Sequence, residues 1–267
     1  MSISITPLTG CVGAEIGGID LKKNIDASAF NILHKAFLEH CMLVFRGQHI
    51  DSQSLNDFGA RWGKPELASS LTPGIPGFPA IIEVKDIPKA MASTEAWHFD
   101  SPYVDIPPKI SILSAVTIPR GGDTMWCNQQ ESYDRLSETM KKALTGLRVR
   151  FQGLRLARMR GITDDAKIPR AVHPLVRTHP ETGRKALYVG HPETAYLIDG
   201  MTHEESQPLL SFLYQHSIAP DNIYRHTWQV GDVVMWDNRC TMHYAVHDYG
   251  TQDRVLQRIT MSGERPA

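Results

Sequence analysis

GDVVMWDNRCTMHYAVHDYGTQDRVLQRITM, residues 231–261, reads as three β-strands in succession. The runs 231–236, 240–247 and 254–261 are rich in β-branched, aromatic and other apolar residues and are broken by DNR and by a Gly-containing turn. Successive side chains of a strand point to opposite faces. The last run therefore places Arg254, Leu256, Arg258 and Thr260 on one face and Val255, Gln257 and Ile259 on the other. At about 3.3 Å per residue the two arginines lie roughly 13 Å apart along the strand. Two inward cations require two anions, either protein carboxylates or anionic ligands, because unpaired buried charge is costly. For an isolated arginine the ordinary alternative is a surface ion pair without function.

Working outward, further short strand-like runs fall at 3–6, 12–16, 41–46, 80–85, 110–117, 122–127, 147–151, 174–178, 186–189 and 223–229. Helices are fewer. Phe30, Leu33 and Phe37 mark one, with Asp26 or Ser28 as its cap, and a second covers about 51–62. Ser137 and Gly146 bracket a third, and Thr202 with Glu205 forms a capping-box pattern before a fourth that reaches about Ser217 across Pro208. Gly183 in PETGRK marks a hairpin turn. The expected class is mainly β with flanking helices, a barrel or sandwich, in one domain over residues 1–267. Residues 64–79, with their prolines and glycines, read as an irregular loop. The basic stretch 152–171, carrying Arg155, Arg158, Arg160, Lys167 and Arg170, reads either as a lid or binding loop or as a solvated face.

Bulk properties narrow the function. A formal charge of -1 and a pI near 6.9 give no excess of cations for nucleic acid. No apolar run has the roughly 18 residues that a membrane span needs, and MSISITPLTG lacks the blocks of a signal peptide, so a cytoplasmic location is expected. Cys11, Cys41, Cys127 and Cys240 are scattered without a C-x-x-C pair and read as small buried hydrophobes.

In AWHFDSPY, residues 96–103, His98 and Asp100 are two apart, so an extended backbone sends both to one face and toward one ion. A third ligand must come from elsewhere; His243 is the best candidate, and His247 competes with it. Spaced four apart, those two histidines would share one face of a helix as in zinc H-E-x-x-H sites, but the Glu is absent and the surroundings are β-like. Two histidines and one carboxylate on one face of a metal leave three positions open, the arrangement of non-haem Fe(II) oxygenases.

Together these residues resemble the taurine dioxygenase/2,4-dichlorophenoxyacetate dioxygenase family of Fe(II)/2-oxoglutarate oxygenases. The order is His98-x-Asp100, 23 intervening residues, Thr124 in GGDTMW, 118 more to His243, and ten more to Arg254. The resemblance runs nearly end to end, through ITPLTGCVGAEIGGIDL, MLVFRGQ, RWGKPE, HPLVRTHPETGRKALYV and WDNRCTMHYA. It implies a double-stranded β-helix, a cupin-like jelly-roll, with iron held by His98, Asp100 and His243. It also implies that Arg254, assisted by the Thr124 hydroxyl, takes the distal carboxylate of 2-oxoglutarate. With O2 the expected products are succinate, CO2 and a hydroxylated substrate. Hydroxylation is expected rather than halogenation, because related halogenases lack the carboxylate that Asp100 supplies.

Arg258 corresponds to the family position that receives the substrate's anionic group, which agrees with the two-cation face. Ser101 and Tyr103, directly after Asp100, are expected near the metal and substrate; a core aromatic with a paired hydroxyl is the alternative for Tyr103. The taurine enzymes carry a His in the loop after R-[FW]-G and an Asn four before the first metal His. Here KPELASSLTPG has no His and position 94 is Thr. Those departures point away from taurine, and GRKALYV, IDGMTHEESQPLLSFLYQH and WDNRCTMHYAVHDY resemble the aryloxyalkanoate dioxygenases more. The expected partner is a small anionic substrate, an aryloxyalkanoate or similar carboxylate, with a sulfonate or alkylsulfate as the alternative. The expected assembly is a homo-oligomer. From another class, a non-oxidative cupin-like metal-binding protein would use the same three ligands but would have no use for Thr124 and Arg254.

Overall fold

Apolar runs that are buried along their whole length, such as MLVF at 42–45 and VVMWD at 233–237, mark strands covered on both faces. The computed structural model describes residues 2–68, 73–85 and 96–267. In chain order the first half forms β1 (Ser4–Pro7), β2 (Ala14–Gly17), α1 (Ala27–His40), β3 (Met42–Phe45), α2 (Ser52–Ala60), β4 (Ile81–Val84), β5 (Ile110–Thr117), β6 (Thr124–Asn128), α3 (Gln129–Asp134) and α4 (Glu138–Leu144). The second half forms β7 (Arg148–Gln152), α5 (Leu154–Met159), β8 (Arg170–Pro174), β9 (Val176–Thr178), β10 (Lys185–Leu187), β11 (Ala195–Ile198), α6 (His203–Ser217), β12 (Ile223–His226), β13 (Val233–Asp237), β14 (Thr241–Ala245) and β15 (Val255–Met261).

The large sheet runs β1-β2-β3-β13-β5-β15-β4, and a three-stranded sheet, β12-β6-β14, belongs to the opposite wall. Leu113, Trp126, Trp228, Val234, Trp236 and Leu256 fill the space between them, with the Trp126 and Trp236 rings 5.5 Å apart. The other face of the large sheet is covered by Leu33 and Phe37 of α1 and by Leu55 and Phe58 of α2. A jelly-roll core with flanking helices results, the class expected from the alternating runs. A separate cluster behind the small sheet joins Phe99, Val149, Phe151 and Tyr188 to Leu210 and Leu213 of α6.

Local chemistry sets the ends of several elements where the sequence indicates. The Asp26 side chain accepts from the Ala29 N–H, Ser137 from Met140, and Thr202 with Glu205 closes a full capping box, with Pro208 inside the helix that follows. Gly183 adopts φ 69° at the β9–β10 hairpin. Four elements go beyond the sequence reading: α3, α5, β11 and β8, of which only Pro174 falls in an expected strand run. The basic stretch 152–171 contains α5 and a 3-10 turn, and Cys11 is half-buried where full burial was expected. Of the loop 64–79, residues 69–72 lie outside the described residues, as does Thr94.

The turn between β13 and β14 is tied down by buried charge. Both Asp237 oxygens accept from Arg239, at 2.8 and 2.7 Å, and Oδ2 also accepts from His179 Nε2 at 3.0 Å. Arg239 reaches on to Glu181 at 2.7 Å, and Glu181 to His34 at 2.9 Å. Burial alone would raise the Asp237 carboxyl, but Arg239 and the His179 hydrogen bond hold it well below the usual carboxylate range. Arg239→Ala strands that carboxylate. It should cost about 3–5 kcal/mol, the usual penalty for removing one partner of a buried pair, read as a lower urea midpoint at unchanged slope. A change within about 0.5 kcal/mol, typical of surface positions, would contradict this reading of the turn.

Candidate metal centre

Backbone pairing assembles the centre. His98 lies outside the named strands but bridges His243 on β14: His98 N–H donates to His243 C=O at 3.0 Å, and His243 N–H to His98 C=O at 2.9 Å. Side chains directly opposite in such a pair stand on the same face, and the two imidazole centroids are 4.1 Å apart. Asp100, two residues on, joins them, so that one donor atom from each of the three lies within 4.8 Å of the others.

Hydrogen bonding leaves one atom of His98 and one of Asp100 toward the centre, while His243 Nδ1 is buried without a hydrogen-bond partner among the described residues. His98 Nδ1 donates to the Ala96 carbonyl at 2.7 Å, which fixes the tautomer with an unprotonated Nε2. Asp100 Oδ2 accepts from Ser111 at 2.6 Å, whereas Oδ1 faces His243 Nε2 at 3.9 Å. Burial, followed by the facing His98, pushes the His243 imidazole down to about 3, and burial also lowers His98. Burial would raise Asp100, but the Arg258 guanidinium, with the Ser111 hydrogen bond, outweighs it and keeps the carboxyl ionised. Two neutral imidazoles and a carboxylate, each with an unbonded donor atom, are the protonation states a divalent metal requires, and the N,N,O set fits Fe(II).

A pocket of about 690 Å³, partly open to solvent, reaches from His243 to Thr124, Trp236, Tyr249, Arg254 and Arg258. Leu256 and Arg258 of β15 line it, as does Arg254 directly before the strand, the face expected from the alternation of 254–261. Arg254 is buried, donates to the Gly122 carbonyl at 3.1 Å and to Thr124 Oγ1 at 3.5 Å, and has no carboxylate of the described residues within 4.0 Å. Burial pulls its guanidinium below the usual arginine value. Thr124 Oγ1 also accepts from Trp228 Nε1 at 3.0 Å, so the hydroxyl proton remains available for an acceptor in the pocket. Arg258 Nη1 is 3.6 Å from Asp100 Oδ1, and its Nε is buried without a hydrogen-bond partner among the described residues.

Ser101 and Tyr103 do not line this pocket: Ser101 turns the chain with φ 47°, and the Tyr103 ring lies against Gly153, beside the cluster behind the small sheet. His247 lines the pocket, stacked on Tyr249 at 4.5 Å, and is not in the three-residue group. Another group, His179, Asp237 and Cys240, has metal-like spacing. It does not fit an ion, because His179 Nδ1 already accepts from the Glu181 and Thr182 amides and both Asp237 oxygens are engaged by Arg239. Sequence reasoning passed over Trp228, Ser111 and Asn238; no spacing rule links them to the centre, which they reach only through tertiary contact.

Comparison with known proteins agrees with this geometry. Residues 4–260 match the family described as taurine catabolism dioxygenase TauD, TfdA family. An alkylsulfatase of Acinetobacter baylyi is 38% identical, the match covering 98% of this chain and 86% of its own. An (S)-phenoxypropionate/alpha-ketoglutarate-dioxygenase of Sphingobium herbicidovorans is 31% identical over 98% of this chain and 96% of its own. The crystal structure of a taurine dioxygenase from Burkholderia xenovorans superposes with a TM-score of 0.88 at 34% identity, covering 100% of this chain and 91% of that one. The chain belongs to the TauD/TfdA family and is an Fe(II)- and 2-oxoglutarate-dependent dioxygenase that consumes O2.

Proposed function

We propose that the protein hydroxylates a small organic sulfate ester at the carbon bearing the ester oxygen. In this reading His98, Asp100 and His243 hold Fe(II), Thr124 and Arg254 receive the distal carboxylate of 2-oxoglutarate, and Arg258 receives the substrate's anionic group. The observation that carries it is the pair of arginines, Arg258 on β15 and Arg254 directly before it, both lining the pocket that contains His243. A guanidinium donates two parallel hydrogen bonds to a planar carboxylate, and at Arg254 the Thr124 hydroxyl adds a third donor. The Nε of Arg258, without a hydrogen-bond partner among the described residues, supplies a donor for a second anion. Val84, Leu113 and Leu256 offer an apolar wall for an alkyl chain.

When bound, iron with 2-oxoglutarate and O2 supplies the oxidising power that puts one oxygen atom into a substrate C–H bond, with succinate and CO2 as co-products. The residues of the chain orient the reactants. Arg254 and Thr124 fix one end of the cosubstrate, and Arg258 fixes the anion of the substrate so that one carbon faces the centre. A carbon carrying both hydroxyl and sulfate ester then forms a carbonyl as its C–O bond to sulfate breaks. The hydroxyl proton passes to solvent, and an aldehyde and sulfate leave.

The 38% identity to an alkylsulfatase, above 34% and 31% for the taurine and phenoxypropionate enzymes, favours the sulfate ester. A second reading, an aryloxyalkanoate, is favoured by aromatic surface in the pocket, where Trp236, His247 and Tyr249 could stack on a ring. Succinate release measured across linear alkyl sulfates, aryloxyalkanoates and taurine separates these. The alkyl sulfates are expected to give the highest kcat/KM, and a preference for either other class by tenfold or about 1.4 kcal/mol would replace this reading.

The two arginines are also separable. Arg258→Ala should raise KM for the substrate by about tenfold or more while sparing 2-oxoglutarate, and Arg254→Ala should do the reverse, the scale being that of truncating one partner of a buried charge pair. Equal effects on both ligands would contradict separate anion sites.

A further inference from the structure

Asp100 offers two oxygens, and the structure treats them differently. Oδ2 accepts from Ser111 Oγ at 2.6 Å and from Asn238 Nδ2 at 3.4 Å; Oδ1 takes no hydrogen bond among the described residues and faces His243 Nε2 and Arg258 Nη1. The polarity of this arrangement can be traced from its far end. Trp236 Nε1 can only donate, and it does so to Asn238 Oδ1 at 2.9 Å, which sets the orientation of the amide. Asn238 Nδ2 then donates to Ser111 Oγ at 2.9 Å, and Ser111 spends its one proton on Asp100. Every member is buried: Trp236 1%, Asn238 2% and Ser111 0% exposed.

The anchors of the chain are rigid. Ser111 sits on β5, Trp236 on β13, and Asn238 in the turn held by the Asp237–Arg239 network, with its own N–H donating to the Lys109 carbonyl at 2.9 Å. We infer that Ser111 and Asn238 are positioning residues that pin Oδ2 of Asp100, so that the carboxylate presents Oδ1 alone to the metal. A carboxylate free to turn could bind through both oxygens and take a coordination position that 2-oxoglutarate or O2 needs. The inference rests on Asp100 being a metal ligand.

Its test is Mn(II) affinity of the full chain by calorimetry, with Mn(II) as a probe that does not turn over, for Asp100→Ala, Ser111→Ala, Ser111→Thr and Asn238→Asp. Asn238→Asp keeps the shape but replaces the donor to Ser111 by an acceptor. Loss of an outer partner of a ligand commonly weakens metal binding about 10–100-fold. Ser111→Ala and Asn238→Asp should fall in that range, and Ser111→Thr, which keeps the hydroxyl, should stay near wild type. Wild-type affinity in both Ser111→Ala and Asn238→Asp, with binding lost in Asp100→Ala, would overturn the positioning role alone. Wild-type affinity in Asp100→Ala would instead remove Asp100 from the metal set. Circular dichroism checks that each variant is folded, and should Asn238→Asp fail to fold, Ser111→Ala with its threonine rescue decides the matter.

Discussion

Two backbone hydrogen bonds between His98 and His243 are the constraint on which the site depends. They join a segment outside the named strands to β14, and a strand pair of this kind has only one register in which the two imidazoles stand side by side. A one-residue slip would send His243 to the other face, toward the cluster that holds Met242. The neighbouring turn is held against such a slip by Asp237 and Arg239, whose buried charges are matched to His179 and Glu181. Charge pairing in the turn and ligand placement on the strand are therefore parts of one arrangement.

Burial serves opposite ends in the two halves of the site. Near His98 and His243 it strips the imidazoles of protons, leaving lone pairs for a metal. Around Arg254 it leaves a guanidinium whose partners among the described residues are a carbonyl, a hydroxyl and the Tyr249 ring, short of a full counter-charge. That deficit is what makes the pocket attractive to a carboxylate, since an anion there recovers solvation that the arginine lost on folding.

Much of this was legible in the sequence, and the gaps have physical causes. Period-two alternation in 254–261 correctly put Arg254, Leu256 and Arg258 on one face, because that face lines the pocket while Ile259 and Met261 pack into the core on the other side. Capping residues located α1, α4 and α6 for the same local reason. By contrast α5 has Gly153 at its N-cap position and so no side-chain cap, and β11 is four residues with a register shift, so neither carries a local signal. Counting could not separate His243 from His247, four residues apart; their difference lies in which one faces His98 across a bridge, a tertiary fact. Trp228, Ser111 and Asn238 were silent for a related reason. Trp228 and Asn238 reach the site through side-chain hydrogen bonds to residues more than a hundred positions away, and Ser111 reaches Asp100, eleven positions back, from a different element.

The most direct test of the centre is optical. Fe(II) and 2-oxoglutarate added without oxygen to the purified protein should give the weak visible charge-transfer band of a 2-oxo acid chelated to iron, and the band should be absent when either component is withheld. A blank spectrum from correctly folded protein would contradict the assignment of His98, Asp100 and His243 to iron and of Arg254 to the cosubstrate.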